Sequence, residues 1–424
     1  MVNAPKGTKD MLPEEAYRWH WVEDLMHGIA QSCGYREIRT PIFEHTELFM
    51  RGVGDTTDIV QKEMYTFEDK GGRSVTLKPE GTAGTVRAYI EHGMQNEPQP
   101  VKMYYMGPIF RYERPQKGRY RQHHQFGVEV FGAAEPTADA EVIALAQSVL
   151  TGAGINKLSL EINSVGCPDC RATYHKALKA YLKGHLTEMC GTCRERFDRN
   201  PLRILDCKVS RCKAIVKDAP VMIDYLCDAC KRHFEGVQAC LKAAGIGFTV
   251  NPRIVRGLDY YIRTVFEFIS DDIGAQGTVC GGGRYDNLVE TLGGPEVPGL
   301  GFGMGVERLL LTMEALGVDI PEPGQCDVFI VTIGDAAKEK GFALLTSLRQ
   351  GGIAADMDHT GRGVKAQFKY ADKIGARYVL TLGEDEIASG KMQVKDMISG
   401  VEKGIVLETV TDYLKIKMEE HGDE

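Results

Sequence analysis

Long apolar runs are missing from this chain of 424 residues. Nothing in it approaches the roughly eighteen consecutive apolar residues that a membrane-spanning helix needs. The first residues, Met1-Val2-Asn3-Ala4-Pro5-Lys6, lack the apolar core of a targeting peptide, so a cytoplasmic protein is expected. Positive charge is not in excess either, since the net charge is −8. That excludes a generally basic nucleic-acid binder, although a local patch is enough for phosphate contact. The P-loop and the Gly-x-Gly-x-x-Gly fingerprint are both absent. Any ATP chemistry must therefore do without the usual Gly-Lys phosphate cradle. Cysteine, by contrast, is plentiful, with 12 in the chain. In a cytoplasmic protein these are thiols or metal ligands rather than disulfides.

The most informative stretch runs from Phe110 to Glu129. Val101 to Glu113 has strand composition, and Pro115, Lys117 and Gly118 mark a turn. Beyond the turn, Arg121, His123, Gln125, Gly127 and Glu129 share one strand face, while Phe126, Val128 and Val130 share the other. Arg111 and Glu113 share a parity on the first strand. A face mixing Arg, Glu, Gln and a bare Gly differs from a solvated one, and Arg suits planar contact with phosphate. Arg114, Lys117, Arg119 and Arg121 form a local basic patch. The competing reading is a salt-bridged surface hairpin.

Two other segments add to it. From Gly299 to Gly305 glycine alternates, and a helical pattern through Leu309, Leu310, Met313 and Leu316 follows. Alternate glycines clear one strand face, so that a ring or a phosphate can approach the backbone. Arg308 falls in the first helical turn, where the dipole disfavours a cation unless an anion sits between them. The segment Arg256–Glu267 reads as a loop entering a strand. Gly281-Gly282-Gly283, followed by Arg284, Tyr285 and Asp286, suggests backbone near a ligand, or otherwise a flexible turn.

Pro13 opens a predicted helix to Cys33, with Tyr17, Trp21, Leu25 and Ile29 at helical spacing. An extended stretch, Tyr35 to Phe43, is interrupted by Pro41. Strands recur from Val75 to Phe131, and Ala138 to Thr151 reads as a helix, so the fold class is α+β: a mostly antiparallel sheet flanked by helices. Nine cysteines lie between Cys167 and Cys240. Three Cys-x-x-Cys pairs, with Cys207 and Cys212 as a looser fourth, supply sulfur for two four-thiolate sites. The gap from Cys170 to Cys190 has zinc-ribbon spacing, which makes Cys167, Cys170, Cys190 and Cys193 the candidate ligands of a structural Zn²⁺. A helical insertion with free buried thiols is the alternative. After a linker at Pro321-Glu322-Pro323-Gly324, the pattern becomes βαβαβ, which predicts a small parallel α/β domain.

Taken together, these motifs resemble the class II aminoacyl-tRNA synthetases, and among them the histidyl-tRNA synthetase family. The hairpin resembles motif 2, and Gly301 to Leu311 resembles motif 3. Arg256 to Tyr261 and Gly281 to Tyr285 resemble the two signatures peculiar to the histidine enzymes. Thr40 to Glu44 is similar to motif 1, and Lys78 to Ala83 also matches. The resemblance implies a class II antiparallel sheet in a catalytic domain split into residues 1–165 and 246–320. It implies an insertion domain at 166–245 and an anticodon-binding α/β domain at 325–424. The bland reading of that last domain is a generic regulatory module. It further implies ATP and Mg²⁺ as co-reactants, tRNA(His) as partner and a homodimer built on the helix–strand unit around motif 1, which is otherwise an ordinary core edge. Arg111 and Arg256 are implied at the α-phosphate, Arg308 at the γ-phosphate, and Glu113 and Arg121 at the ATP. Histidine would contact Glu80, Gly81, Thr82, Gln125, Glu129, Arg256, Tyr260 and Tyr261. Glu129 and Tyr261 would serve the imidazole nitrogens, Glu80, Thr82 and Gln125 the ammonium, and Gly127 would leave room. Gln116 and Arg114 would meet the tRNA acceptor end. A catalytically silent histidine-binding relative that regulates histidine biosynthesis, or a synthetase for another amino acid, are the other readings.

Overall fold

The computed structural model describes residues 2–54, 57–199, 201–205, 207, 209–254, 256–270, 277–322 and 326–422. It divides into two compact units, Met1–Ile320 and Pro321–Glu424. The expected linker falls at that division, and its residues 323 and 324 lie outside the described ones. No helix among the described residues is long and apolar enough to cross a membrane.

The first unit is built on an eight-stranded sheet. Its spatial order is Arg36–Glu37, Val101–Phe110, Gln122–Phe131, Gly299–Gly305, Thr278–Arg284, Ile262–Ile269, Ser159–Ser164 and Thr249–Val250. The six central strands are antiparallel, and each edge strand joins in parallel. The stretch around Pro41 keeps only two paired residues on its near side, Arg36 and Glu37, because a proline cannot continue a ladder. The triple glycine is no turn: it lies inside the strand Thr278–Arg284.

The sheet's apolar face packs on the helices Pro13–Ser32 and Pro136–Gly152, through Val128, Val130, Phe266, Phe302 and Met304. On the first helix the buried stripe is Trp19, Val22, Met26 and Ala30. Tyr17, Trp21, Leu25 and Ile29, the stripe expected from spacing, flank it half-buried. The helix is apolar over a wide arc, so the surface it rests on chooses the central line.

One charged cluster crosses this core. Arg284 is fully buried, with Nη2 2.5 Å from Asp139 Oδ2. Its Nη1 donates to Ala133 O at 2.8 Å and to Asp286 Oδ1 at 3.1 Å, and His233 Nε2 lies 3.2 Å from the same Asp139 oxygen. Burial alone would raise the Asp139 carboxyl, but His233 and Arg284 outweigh it and hold it below its ordinary value. A lowered carboxyl contributes stability above the unfolded pKa and loses it as pH falls through the folded one. Asp139→Ala strands the guanidinium and is expected to cost about 3–5 kcal/mol in urea unfolding at neutral pH, with a smaller cost in strong acid. A loss below about 1 kcal/mol at neutral pH would show that the pair is dispensable.

Residues 166–245 form a mainly helical insertion with a core of its own. Its last helix, Asp228–Ala243, also sends Phe234, Val237 and Leu241 into the main core. In the second unit, Ala355–Met357, Val328–Thr332 and Tyr378–Leu382 run parallel as expected. Two further strands, Lys391–Asp396 and Glu402–Val406, then add antiparallel, so the sheet is mixed. The connection between those two is too short for a parallel crossover, and Gly400 turns it with φ 72°.

Candidate functional site

A cavity of about 230 Å³ opens on the polar face of the large sheet. Besides Ile59, its lining gathers residues from five separate segments of sequence. Arg111, Glu113, Gly118, Arg119, Tyr120, His123 and Gln125 come from the hairpin and its loop. Glu80 and Thr82 come from the start of the helix Thr82–Glu91, Arg256 to Tyr261 from the loop before a strand, Thr278 to Gly281 from the triple-glycine strand, and Gly303 to Arg308 from the strand–helix junction. Tyr105 lines it too.

Gly281, Gly303 and Gly305 line the cavity, and the glycines also make room for the protein's own side chains. Across the ladder Gly301 faces Glu129 and Gly305 faces Gln125. A Cβ on Gly301 would lie 2.3 Å from Glu129 Oε2, and one on Gly303 would lie 2.0 Å from Gln125 Nε2. A Cβ on Gly281 would lie 2.5 Å from Arg256 Nη1. The bare face thus admits the protein's own polar side chains laid flat on the sheet. Gly127 and Gly81 are likewise filled, both by the Tyr105 ring, at 2.3 and 2.2 Å from their would-be Cβ atoms. The room expected at Gly127 is therefore occupied by Tyr105. The signal for this tyrosine was its place opposite Gly127 on the hairpin.

The buried polar groups are tightly arranged. Glu80 accepts from the backbone N–H groups of Thr82 (2.8 Å) and Ala83 (2.7 Å), at the open end of their helix. Burial raises its carboxyl, while those bonds and Arg111 oppose the shift. Glu129 has no exposed surface; it accepts from Thr82 Oγ1 at 2.7 Å and from the Tyr285 hydroxyl. Burial, with nearby Glu80 adding to it, pushes the Glu129 carboxyl up to about 8 against the pull of Tyr285 and Thr82. Gln125 Oε1 is buried with no hydrogen-bond partner among the described residues. The Tyr260 and Tyr261 rings meet at a tilt of 47°, with centres 4.7 Å apart.

Four arginines share the cavity. Arg256 pairs with Glu267, a partner the sequence reading missed, and its guanidinium lies 5.7 Å from the Tyr261 ring centre. Arg111 Nε donates to Pro79 O at 2.7 Å. Arg308 bridges Gly118 O at 3.2 Å and Thr278 O at 2.7 Å. Arg119 pairs with Glu113 at 2.5 Å. Between them His123 is held neutral: burial first, then Arg111 and Arg308, push its pKa down to about 3. The site thus concentrates fixed positive charge without spending a titratable group on it.

Some expected residues lie outside the lining, and Glu129, fully buried behind Thr82, is one of them. Arg121 stacks on the Tyr112 ring at 3.8 Å and donates to Glu113 O at 3.2 Å. Arg114 and Gln116 are exposed in the loop, and Gly81 is covered by Tyr105. The four candidate zinc ligands do not meet in one place. Cys167 and Cys170 join Cys227 and Cys230, whereas Cys190 and Cys193 join Cys207 and Cys212. Spacing along the chain paired neighbours in sequence, but the returning helix Asp228–Ala243 brings its own pair to the first site.

Known proteins match this chain over nearly its whole length. A family model described as histidyl-tRNA synthetase matches residues 7–309, and one described as an anticodon binding domain matches residues 327–417. The histidine–tRNA ligase of Caldanaerobacter subterraneus is 56% identical over 98% of this chain and 100% of its own. That of Acetivibrio thermocellus is also 56% identical, again over 98% of this chain and 100% of its own. The solved structure of apo S. aureus histidyl-tRNA synthetase superposes with a TM-score of 0.85 at 42% identity, over 97% of this chain and 99% of that one. With the match spanning both units and the cavity between these strands, the chain belongs to the histidyl-tRNA synthetase family.

Proposed function

We infer that the chain is a histidine–tRNA ligase, which joins histidine to ATP as an acyl-adenylate and passes the histidyl group to tRNA(His). The observation that carries this is a single cavity combining four arginines with an aromatic, carboxylate-backed floor. Attack of the histidine carboxylate on the α-phosphate forms a C–O–P bond and expels diphosphate. Charge builds on the phosphate oxygens, so fixed cations are needed rather than a strong base. Arg256 and Arg111 take that role, Arg308 holds the γ-phosphate, and Glu113 with Arg121 seats the nucleotide. Mg²⁺, used with ATP by synthetases of this class, neutralises the triphosphate when bound. Glu113 and Glu307 are lining carboxylates of the oxygen type that it takes.

The imidazole is read by Glu129 and Tyr261, an acceptor and a donor. Gln125 Oε1, unpartnered and buried, suits an ammonium donor, beside Glu80 and Thr82. The Tyr260 ring packs at a tilt against Tyr261. The exposed Arg114 and Gln116 meet the acceptor end of the tRNA. Ile42, Phe43, Met50 and Phe67 expose apolar surface around motif 1, which supports a homodimer built there. Cysteines gathered in fours as candidate metal ligands, rather than paired in disulfides, suit a reducing cytoplasm. Retention of the three phosphate-facing arginines, together with an anticodon-binding unit, favours the ligase over a silent regulatory relative.

Diphosphate exchange into ATP, run with each amino acid in turn, tests the reading: it should depend on histidine alone. Every cavity residue precedes Leu311, so a chain ending at Glu322 should keep exchange near the parental rate. Its aminoacylation should fall by about 10²-fold or more, because tRNA contacts outside the active site are lost. Exchange driven by another amino acid, or full charging by the shortened chain, would overturn the assignment.

A further inference from the structure

The insertion core is unusual in its material. Among the described residues its buried cluster has thirteen members, and five of them are Cys170, Cys193, Cys207, Cys212 and Cys230. Thiols are small and supply little apolar area, so a core in which they make up over a third is weak unless they bind something. The sulfurs are gathered into two groups of four, Cys167/Cys170/Cys227/Cys230 and Cys190/Cys193/Cys207/Cys212, in which all lie within 4.8 Å of one another.

That spacing selects the occupant. A tetrahedral zinc with Zn–S near 2.3 Å sets its sulfurs about 3.8 Å apart. Cys167 and Cys170 are 3.5 Å apart, Cys167 and Cys227 4.0 Å, and Cys190 and Cys207 3.9 Å. An iron–sulfur cluster would hold its thiolates around a larger cage. Backbone donors already serve the sulfurs: Cys227 N–H donates to Cys170 Sγ at 3.0 Å, and Cys190 N–H to Cys212 Sγ at 3.3 Å. In the first group Cys167 and Cys227 cap two helices, so both dipoles favour negative sulfur.

We propose that the insertion binds two structural zinc ions, one in each four-cysteine group, and that these ions hold the arginines which clamp the Gly257–Tyr261 loop. Each Zn²⁺ displaces the thiol protons to solvent and undergoes no redox change. Arg171, one turn beyond Cys167, donates through Nη2 to Tyr261 O and through Nε to Val165 O at 3.2 Å. Arg203, between Cys193 and Cys207, donates through Nη2 to Gly257 O, and its Nε lies 3.4 Å from Asp259 Oδ1. Both ends of the loop that carries Tyr260 and Tyr261 are therefore held from the insertion. This second half of the proposal rests on the histidine-site reading above; the metal content does not.

The test starts with the full chain purified without chelator. Elemental analysis should find about two zinc per chain, and replacement by Co²⁺ should give the intense visible bands of tetrahedral cobalt thiolate. Cys170→Ser and Cys193→Ser should each remove one equivalent. Cys193→Ser should raise the histidine KM by about tenfold while leaving the ATP KM within about twofold. Zinc below about a tenth of an equivalent, or eight insertion thiols reacting freely in the native protein, overturns the metal sites. A parallel rise in both KM values overturns the link to the loop. If the serine variants do not fold, the zinc content and cobalt spectrum of the parent chain still decide.

Discussion

Arg256→His is expected to slow adenylate formation by about 10²–10³-fold, the usual cost of removing one donor aimed at developing charge. Both KM values should change by only a few-fold, because the guanidinium acts where charge grows and not in the ground state. The structure adds an independent way to move the same group. Arg256 lies on Gly281, paired with Glu267, and a Cβ at Gly281 would come within 2.5 Å of its Nη1. Gly281→Ala should therefore push the guanidinium off its seat and slow the step by about tenfold or more, with Arg256 itself retained. Rapid-quench measurement of the adenylate in both variants provides the check. Unchanged single-turnover rates in Arg256→His would remove the arginine from the mechanism.

Glu129→Ala is expected to raise the histidine KM by about 10–100-fold, since an unpaired buried N–H costs roughly 1–3 kcal/mol. ATP binding should survive. The same residue predicts a pH effect. Its carboxyl is raised from 4.5 to about 8 by burial. Between those values the folded protein holds a proton that the unfolded chain has lost. The contribution to stability is thus full below the lower value and lost as pH rises through the upper one, so Glu129→Gln should stabilise the free protein more at pH 8 than at pH 5. Histidine needs the ionised carboxylate as acceptor for its ring N–H. Its binding should release a proton near neutral pH, visible by calorimetry in buffers of different ionisation enthalpy. Histidine affinity and proton release equal to the parent's in Glu129→Ala would contradict the role.

Much of this was legible one residue at a time. The alternation through Gln125, Gly127 and Glu129 placed them on one face because a strand has period two, and the ladder bears this out. The alternate glycines from Gly299 to Gly305 announced a bare face and a following helix, and both are present. Clustered Cys-x-x-Cys pairs announced possible metal ligands within one insertion.

What covers a bare face is another matter. Tyr105 fills Gly81 and Gly127, Gln125 and Glu129 fill Gly303 and Gly301, and Arg256 lies on Gly281. None of these pairs is adjacent in the chain, and no periodicity encodes them. The Arg256–Glu267 and Arg284–Asp139 pairs, and the joining of Cys167 and Cys170 with Cys227 and Cys230, arise in the same way. Local spacing determined which residues share a strand or a helix face, because backbone geometry repeats over a few residues. Only the folded sheet decided which faces meet, because cross-strand registry and helix docking depend on burying apolar area over the whole unit.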